Sequence, residues 1–366
     1  MIENRLKKGR LTALLLALAV SLSLLAGCGG GGTHDGSSGG AADDGKIQIV
    51  TTIFPAYDFA RQVAGVRAEV TMLLSPGEEL HSYEPSPKDM IAIEECDIFI
   101  YVGGESDTWM KDVLEAVNVE GKTVISMMEE TEVLTEEITE GMVHTHWNGL
   151  WDWILNLLGS GHNHEDSDHD GKHAHGEGEV CDDPDHLHEA EYDEHVWTSP
   201  ANAGLIVSAI TEALCQLDTE GEAYYRERES AYLGELDELK AEMLAIRQRA
   251  KRTTIIVGDR FPFRYLAEFM DLEYFAAFPG CAEETEPSAK TVAFLIDKIR
   301  EEEIPAVFYQ EFSSHMMAQT IAEDTGAKAL LLHSCHNVTK DEFEAGLTYL
   351  DIMRQNMVNL EWALCE

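Results

Sequence analysis

Basic residues are scarce in this chain. Lysine and arginine number 26 against 68 aspartates and glutamates, which gives a formal net charge of −42 at pH 7. Contacts to phosphate require lysine and arginine, so this balance argues against a nucleic acid as partner. A strongly acidic surface attracts cations instead, and the charge is consistent with a protein that concentrates divalent metal ions near itself.

Long apolar runs are also rare, and the only pronounced one lies at the N-terminus. A basic stretch precedes the apolar residues 11–25. This run leads into Leu25-Ala26-Gly27-Cys28, which resembles a bacterial lipoprotein cleavage box. We therefore expect a signal peptide over residues 1–27, a lipid anchor on Cys28 and a Gly/Ser-rich tether over residues 28–45. The chain would be exported and held at the outer face of the cytoplasmic membrane. The alternative is a soluble secreted protein with a chance cysteine.

From Lys46 onward, short apolar segments alternate with longer segments of helical periodicity. This alternation predicts the α/β class, with mostly parallel sheets flanked by helices. More than 300 residues exceed what one core usually supports, so we expect two lobes. The predicted parts are an N-terminal lobe (46–218), a connecting helix (219–251) that opens at a capping-box pattern, and a C-terminal lobe (252–366) that ends in one long helix from Thr339.

A polar insertion interrupts the first lobe at about residues 129–194. It contains the apolar segment Trp147–Leu158, interpreted as a packing helix, and then a stretch rich in Asp, Glu, Gly and His. Such a tract is a compositional sign of metal binding, although a solvated acidic loop is the simpler alternative. We expect the tract to gather or buffer metal at low affinity, because disordered ligands lose chain entropy on binding. Its histidines are His162, His164, His169, His173, His175, His186 and His188.

Most candidate high-affinity ligands follow from the rule that open α/β sheets bind ligands beyond the carboxyl ends of their strands, and His195 is added because ordered sequence resumes there. Each has an ordinary alternative: a plain loop histidine, a core histidine, a helix cap or a group that supports a neighbouring ligand. Three imidazoles with a carboxylate or water would make a tetrahedral zinc site. The candidates are His81, His195, Asp259, Glu311, His333 and His336.

Several motifs together resemble the zinc/manganese class of ABC-transporter solute-binding proteins. They are PGEELHSYEPSP, DEHVWTSPANA, the helix start Phe263-Arg264-Tyr265-Leu266 and the long connecting helix, with a His-rich insertion like that of the zinc-uptake members. The resemblance implies a monomer of two α/β lobes joined by a rigid helix. It also implies a metal held in the cleft and delivered to a membrane permease that an ATPase drives.

Carried over residue by residue, the resemblance assigns metal ligation to His81, His195 and His333. The family's third ligand falls on Arg260, which cannot bind a cation, so Asp259 or water is expected to complete the site. Nitrogen-rich ligation favours Zn²⁺ over Mn²⁺. A disulfide between Cys281 and Cys335 is a further hypothesis, since both cysteines follow strands of the second lobe.

Other functions stay open on sequence alone. A zinc hydrolase also uses three protein ligands, but the chain lacks a His-Glu-x-x-His motif and a clear general base. The remaining alternatives are a binding protein for Mn²⁺ or another divalent ion, and a surface adhesin or metal store. The stiff connecting helix predicts that binding orders loops and tilts the lobes slightly, without wide hinge closure.

Overall fold

A computed structural model describes residues 45–79, 83–104, 107, 109–116, 121–142, 191–281 and 287–366. The predicted signal peptide, the lipid-anchor Cys28, the helix at Trp147–Leu158, His81 and the His-rich tract lie outside these residues. Among the described helices, none combines the length and apolar character needed to cross a bilayer.

The first lobe is built on a four-stranded parallel sheet with strand order β2-β1-β3-β4. The central strands β1 and β3 bury apolar side chains on both faces, as parallel strands covered by helices do. The elements of this lobe are β1 (Ile47–Thr51), α1 (Phe54–Ala64), β2 (Ala68–Met72), α2 (Pro87–Glu95), β3 (Ile98–Tyr101), α3 (Trp109–Ala116), β4 (Thr123–Ser126) and α4 (Pro200–Leu217).

The second lobe repeats this architecture, with a parallel sheet in the order β6-β5-β7-β8. The predicted α/β class with two mostly parallel sheets is confirmed. The elements are β5 (Thr254–Phe261), α6 (Arg264–Met270), β6 (Glu273–Pro279), α7 (Ala289–Glu301), β7 (Ala306–Tyr309), α8 (Met316–Thr325), β8 (Lys328–Leu331), α9 (Lys340–Ala345) and α10 (Tyr349–Cys365).

One 28-residue helix, α5 (Glu222–Arg249), connects the two lobes. At ~1.5 Å per residue it is about 42 Å long. It packs against α1, α4 and α10, and one stripe of its side chains is buried: Tyr225, Tyr232, Leu236, Leu239, Met243 and Ile246. The capping box predicted at Thr219 does not start it. Asp218 accepts the Gly221 N–H instead, and a 3₁₀ turn, Thr219–Gly221, precedes the helix.

The single C-terminal helix predicted from Thr339 is wrong, because α9 and α10 are separate. Gly346 ends α9 in the left-handed region at a φ of 77°, which favours glycine. A second capping box, Thr348 with Asp351, then starts α10. The sequence prediction missed this second box.

Strand β5 is longer than predicted and contains Asp259 and Arg260, which were expected beyond its end. Its pairing with β6 is irregular between Val257 and Arg260. The helix expected from Phe261 consequently begins only at Arg264.

The two ends of the insertion meet beside the second lobe. Thr135 forms an isolated antiparallel bridge with Tyr192, and the Asp193 N–H donates to Leu134 O at 2.9 Å. The Tyr265 hydroxyl donates to Asp193 O at 2.6 Å and accepts the Leu134 N–H at 3.0 Å. These bonds fix the chain immediately before His195.

Candidate metal centre

His195 is a buried histidine whose ring is oriented by a neighbouring carboxylate. It is 2 % exposed, and its Nδ1 lies 3.1 Å from Asp193 Oδ1, which also accepts the His195 backbone N–H at 2.8 Å. Burial acts to lower the pKa of His195, but the charges of Asp193, Glu194 and Glu136 outweigh it, so the pKa is raised. A carboxylate on Nδ1 fixes the orientation of the ring and favours the tautomer with the proton on Nδ1, as in histidines that bind metals.

Trp197 connects this histidine to the second lobe. Its ring contacts the His195 ring edge-on with 5.3 Å between centroids, and its Nε1–H donates to Ser334 O at 2.7 Å. The Tyr349 hydroxyl donates to Trp197 O at 2.7 Å. The segment that carries His195 is thereby fastened to the loop after β8.

A buried polar cluster lies at the carboxyl ends of β7 and β8, where the strand-end rule predicted it. The carboxylate of Glu311 accepts both the N–H and the hydroxyl of Ser334, and its Oε1 lies 2.9 Å from His336 Nδ1. Burial acts to raise the pKa of Glu311, but His333, His336 and the Ser334 hydroxyl outweigh it and lower the pKa to about 2. Glu311 is thus an ionised carboxylate at neutral pH.

His333 is held differently within the same cluster. Its backbone exchanges two hydrogen bonds with the Asn356 side chain, each 2.8 Å, and its Nδ1 accepts the Cys335 N–H at 3.0 Å. Burial is the main cause of a lowered pKa for His333, opposed by the charge of Glu311. Glu311 Oε1 also lies 3.4 Å from the same Nδ1.

Asp259 has its carboxylate engaged with backbone groups. Oδ1 accepts the Arg260 N–H at 3.0 Å and Oδ2 accepts the Gln310 N–H at 3.4 Å. The Arg260 guanidinium reaches across to the first lobe, where Nη2 lies 3.3 Å from Glu79 Oε1.

The loop after β2, which leads toward His81, is fastened to the second lobe. Asn337, fully buried, donates from Nδ2 to Ser75 O at 2.7 Å and to Glu78 O at 2.9 Å. Asn337, like Glu79 and Asp193, had not been identified from sequence. The available signal was position, since Glu79 and Asp193 each stand two residues before a candidate histidine.

The hypothesised disulfide between Cys281 and Cys335 is not formed, since both thiols are free. Their neighbours differ: the Cys281 N–H donates to Glu136 Oε1 at 3.1 Å, whereas Cys335 is fully buried with its Sγ against His333 O. Burial raises the pKa of both thiols well above the usual value, which favours the protonated form.

The structure gathers His333, His336 and Glu311 in one loop cluster and links His195 to it through Trp197. Within the described ranges, no three His, Cys, Asp or Glu side chains converge on a single metal position. His81, the first-lobe candidate, is not among those residues.

Residues 49–363 match the model of the family described as zinc-uptake complex component A, periplasmic. The chain belongs to this family. The zinc-binding protein AdcA of Streptococcus pyogenes serotype M3 (strain ATCC BAA-595 / MGAS315) is 28% identical over 317 residues, covering 87% of this chain and 56% of that protein. The chain thus spans about half the length of that relative.

The chain is also similar to a sequence and to a solved structure from Bacillus subtilis. The high-affinity zinc uptake system protein ZnuA of strain 168 is 28% identical over 353 residues, with 96% of this chain and 97% of that protein covered. The solved structure of the metal-dependent lipoprotein YcdH has a TM-score of 0.66 at 24% identity, covering 88% of this chain and all of that one. This structural likeness supports the two-lobed fold.

Proposed function

We propose that this protein captures Zn²⁺ between its two lobes and delivers it to an ABC-type membrane permease, without chemical turnover. The observation that carries the proposal is the buried His195, whose Nδ1 is held by Asp193 and whose ring is tied through Trp197 to the histidine cluster of the second lobe. Carboxylate-held imidazoles are typical of zinc ligands. Membership of the zinc-uptake family and the zinc-related names of the relatives add support.

The ligand set combines His81 and His195 with nitrogen from the second lobe, where His333 and His336 are the candidates. Imidazole suits Zn²⁺ better than Mn²⁺, which prefers carboxylate and water oxygen. In this proposal Asp259 stabilises the backbone and does not bind the metal, because both of its carboxylate oxygens already accept hydrogen bonds from backbone N–H groups. Asn337 already fastens Ser75 and Glu78, which precede His81 in the chain, to the second lobe.

The His-rich tract at residues 162–188 serves as a low-affinity collector in this proposal. Its histidines stand among acidic residues in a chain of net charge −42, so cations accumulate near it. The high-affinity site is separate, because only preorganised ligands avoid the loss of chain entropy on binding.

A calorimetric Zn²⁺ titration of the protein lacking residues 144–188 tests the function. We expect one tight site to remain, and His81→Ala or His195→Ala to weaken it by more than the ~10–100-fold that loss of an outer-shell partner costs. The matched control is His188→Ala in the full chain, which should leave the tight site unchanged. Loss of the tight site on deletion of the tract alone would contradict the proposal.

The same proposal places the protein at the outer face of the cytoplasmic membrane, anchored through lipid on Cys28. Support comes from the sequence before Cys28, which resembles a lipoprotein cleavage box. Detergent-phase partitioning of the expressed protein tests it: the wild type should enter the detergent phase and Cys28→Ser should stay in the aqueous phase. Equal partitioning of both would remove the anchor from the proposal.

A further inference from the structure

Two glycines, one from each lobe, lie against the short segment that carries His195. The segment is Asp193-Glu194-His195, and each of its side chains is at most 2 % exposed. Gly104 follows β3 of the first lobe, and Gly280 directly follows β6 of the second. Neither glycine has a positive φ, so their backbones would accept alanine and only the available space excludes it.

Gly280 lies so close to His195 that a side chain has no room there. A Cβ at this position would lie 3.2 Å from His195 Cε1, 3.2 Å from Asp193 Oδ2 and 3.0 Å from Phe261 O. Carbon atoms pack best at about 3.5–4.0 Å, so a methyl group would press on the imidazole ring. Because Cε1 stands between the two ring nitrogens, pressure on this atom moves both of them.

Gly104 leaves even less space beside Glu194. A Cβ at this position would lie 2.5 Å from Glu194 Cδ and 2.6 Å from Oε1, which is an overlap of atoms. The side chain of Glu194 is 1 % exposed, and a close-packed interior gives it nowhere to move without displacing its neighbours. An alanine at position 104 would therefore displace the residue that directly precedes His195.

The backbone around Gly104 is fixed by the buried Asp107. The Oδ2 atom of Asp107 accepts the Val102 N–H at 2.7 Å and the Gly103 N–H at 3.2 Å. The Asp107 N–H in turn donates to Gly104 O at 3.2 Å. This turn cannot retreat without losing hydrogen bonds, so the strain of an added methyl group would fall on Glu194.

The backbone around Gly280 is fixed on both sides. Pro279, which precedes it, is paired with Phe261 in the second sheet. Cys281, which follows it, donates its N–H to Glu136 Oε1 at 3.1 Å. An added methyl group at position 280 would consequently move the segment of His195 more easily than it would move the strand end.

We propose that Gly280 and Gly104 are positioning residues of the metal centre, which set the place of His195 by leaving no space for a side chain beside its segment. This rests on the proposed function, in which His195 is a zinc ligand. A ligand that is held in place before the metal arrives loses less conformational entropy on binding. Zinc affinity then depends on two residues that do not touch the metal.

The test compares Gly280→Ala with the matched control Gly258→Ala in the full chain. A Cβ at position 258 would be similarly crowded, at 3.1–3.3 Å from Ala318, but would press on helix α8. We expect Gly280→Ala to weaken tight Zn²⁺ binding ~10-fold or more by chelator competition, as loss of an outer-shell partner does. Gly258→Ala should lower the stability of the zinc-free protein but keep the zinc affinity within about threefold.

The absorption of bound Co²⁺ gives a readout that a merely structural role would not change. One equivalent of Co²⁺ should have altered d–d bands in Gly280→Ala and wild-type bands in Gly258→Ala. Wild-type affinity and bands in Gly280→Ala overturn the role of Gly280, and so do equal losses of affinity in both variants. His195→Ala separates the two proposals: if it loses tight binding, the zinc function stands without this inference, whereas tight binding in His195→Ala removes both.

A second comparison does not depend on whether Gly280→Ala folds. Glu194→Ala removes the atoms that a side chain at position 104 would overlap. We expect Gly104→Ala to weaken tight Zn²⁺ binding ~10-fold or more in the wild type, but by less than about threefold when Glu194→Ala is already present. Equal costs in the two backgrounds, or no cost in either, overturn the role of Gly104.

Discussion

At the scale of single residues, carboxylates orient two imidazoles of the candidate site. Asp193 holds Nδ1 of His195, and Glu311 with Ser334 holds Nδ1 of His336. A carboxylate on Nδ1 is the arrangement that zinc sites use to set the ring tautomer.

Trp197→Phe should destabilise the protein by about 1–3 kcal/mol. The substitution removes the Nε1–H that donates to Ser334 O and leaves that buried carbonyl without its partner. Chemical denaturation measures the change. The control is Trp362→Phe, whose half-buried ring lies 3.9 Å from the Lys328 ammonium and should cost less than about 1 kcal/mol. Equal losses of unfolding free energy in the two variants would contradict a stabilising role for the hydrogen bond to Ser334 O.

Asp107 predicts a pH effect on stability. Burial raises its pKa to about 6, against two backbone N–H bonds that act to lower it. A raised acid pKa stabilises the fold fully below pH ~4 and loses that contribution as pH rises through about 6, worth about 3 kcal/mol. Asp107→Asn should therefore gain stability relative to the wild type between pH 4 and pH 7 in urea unfolding of the zinc-free protein. Parallel curves for the two proteins would contradict this.

At the scale of elements, two glycines can be compared: one ends a helix and the other lies inside one. Gly346 adopts a φ of 77° between α9 and α10, whereas Gly234 lies inside α5, and a Cβ added at either would meet nothing within 4 Å. Only the backbone then decides the effect of a substitution.

Gly346→Ala should destabilise by about 1–2 kcal/mol, because alanine is strained in the left-handed region. Gly234→Ala should instead stabilise by about 0.5–1 kcal/mol, since alanine favours a helix interior. Thermal unfolding of the pair measures both. Effects of the same sign would contradict the assignment of the helix break.

Most helices and strands could be predicted from the pattern of apolar residues. The strands β1, β3 and β5 are short apolar segments, and α5 has one continuous stripe of apolar side chains. The break at Gly346 was missed because the pattern continues on both sides and only the second box, Thr348 with Asp351, marks it. The strand-end rule selected Glu311, His333 and His336, which the structure places in one cluster, whereas His195 was selected because ordered sequence resumes there. The rule could not show how these side chains are held, because that depends on Ser334 and Glu311 meeting in space.

At the scale of the whole molecule, two parallel sheets share one connecting helix, and their loops meet across the cleft. Asn337 fastens the loop after β2, and Arg260 pairs with Glu79. The long helix packs along most of its length, which favours small lobe movements over a wide hinge. In the proposed function, zinc would therefore enter a cleft whose second-lobe side is already held in place.

The central claim is that one zinc ion lies between the lobes and is not held in the His-rich tract. Anomalous diffraction at the zinc edge, from crystals of the full chain loaded with one equivalent of Zn²⁺, tests this directly. We predict a single strong peak within bonding distance of His195 and of one second-lobe histidine, His333 or His336. A strong peak confined to residues 162–188, with none at His195 or His336, would contradict it.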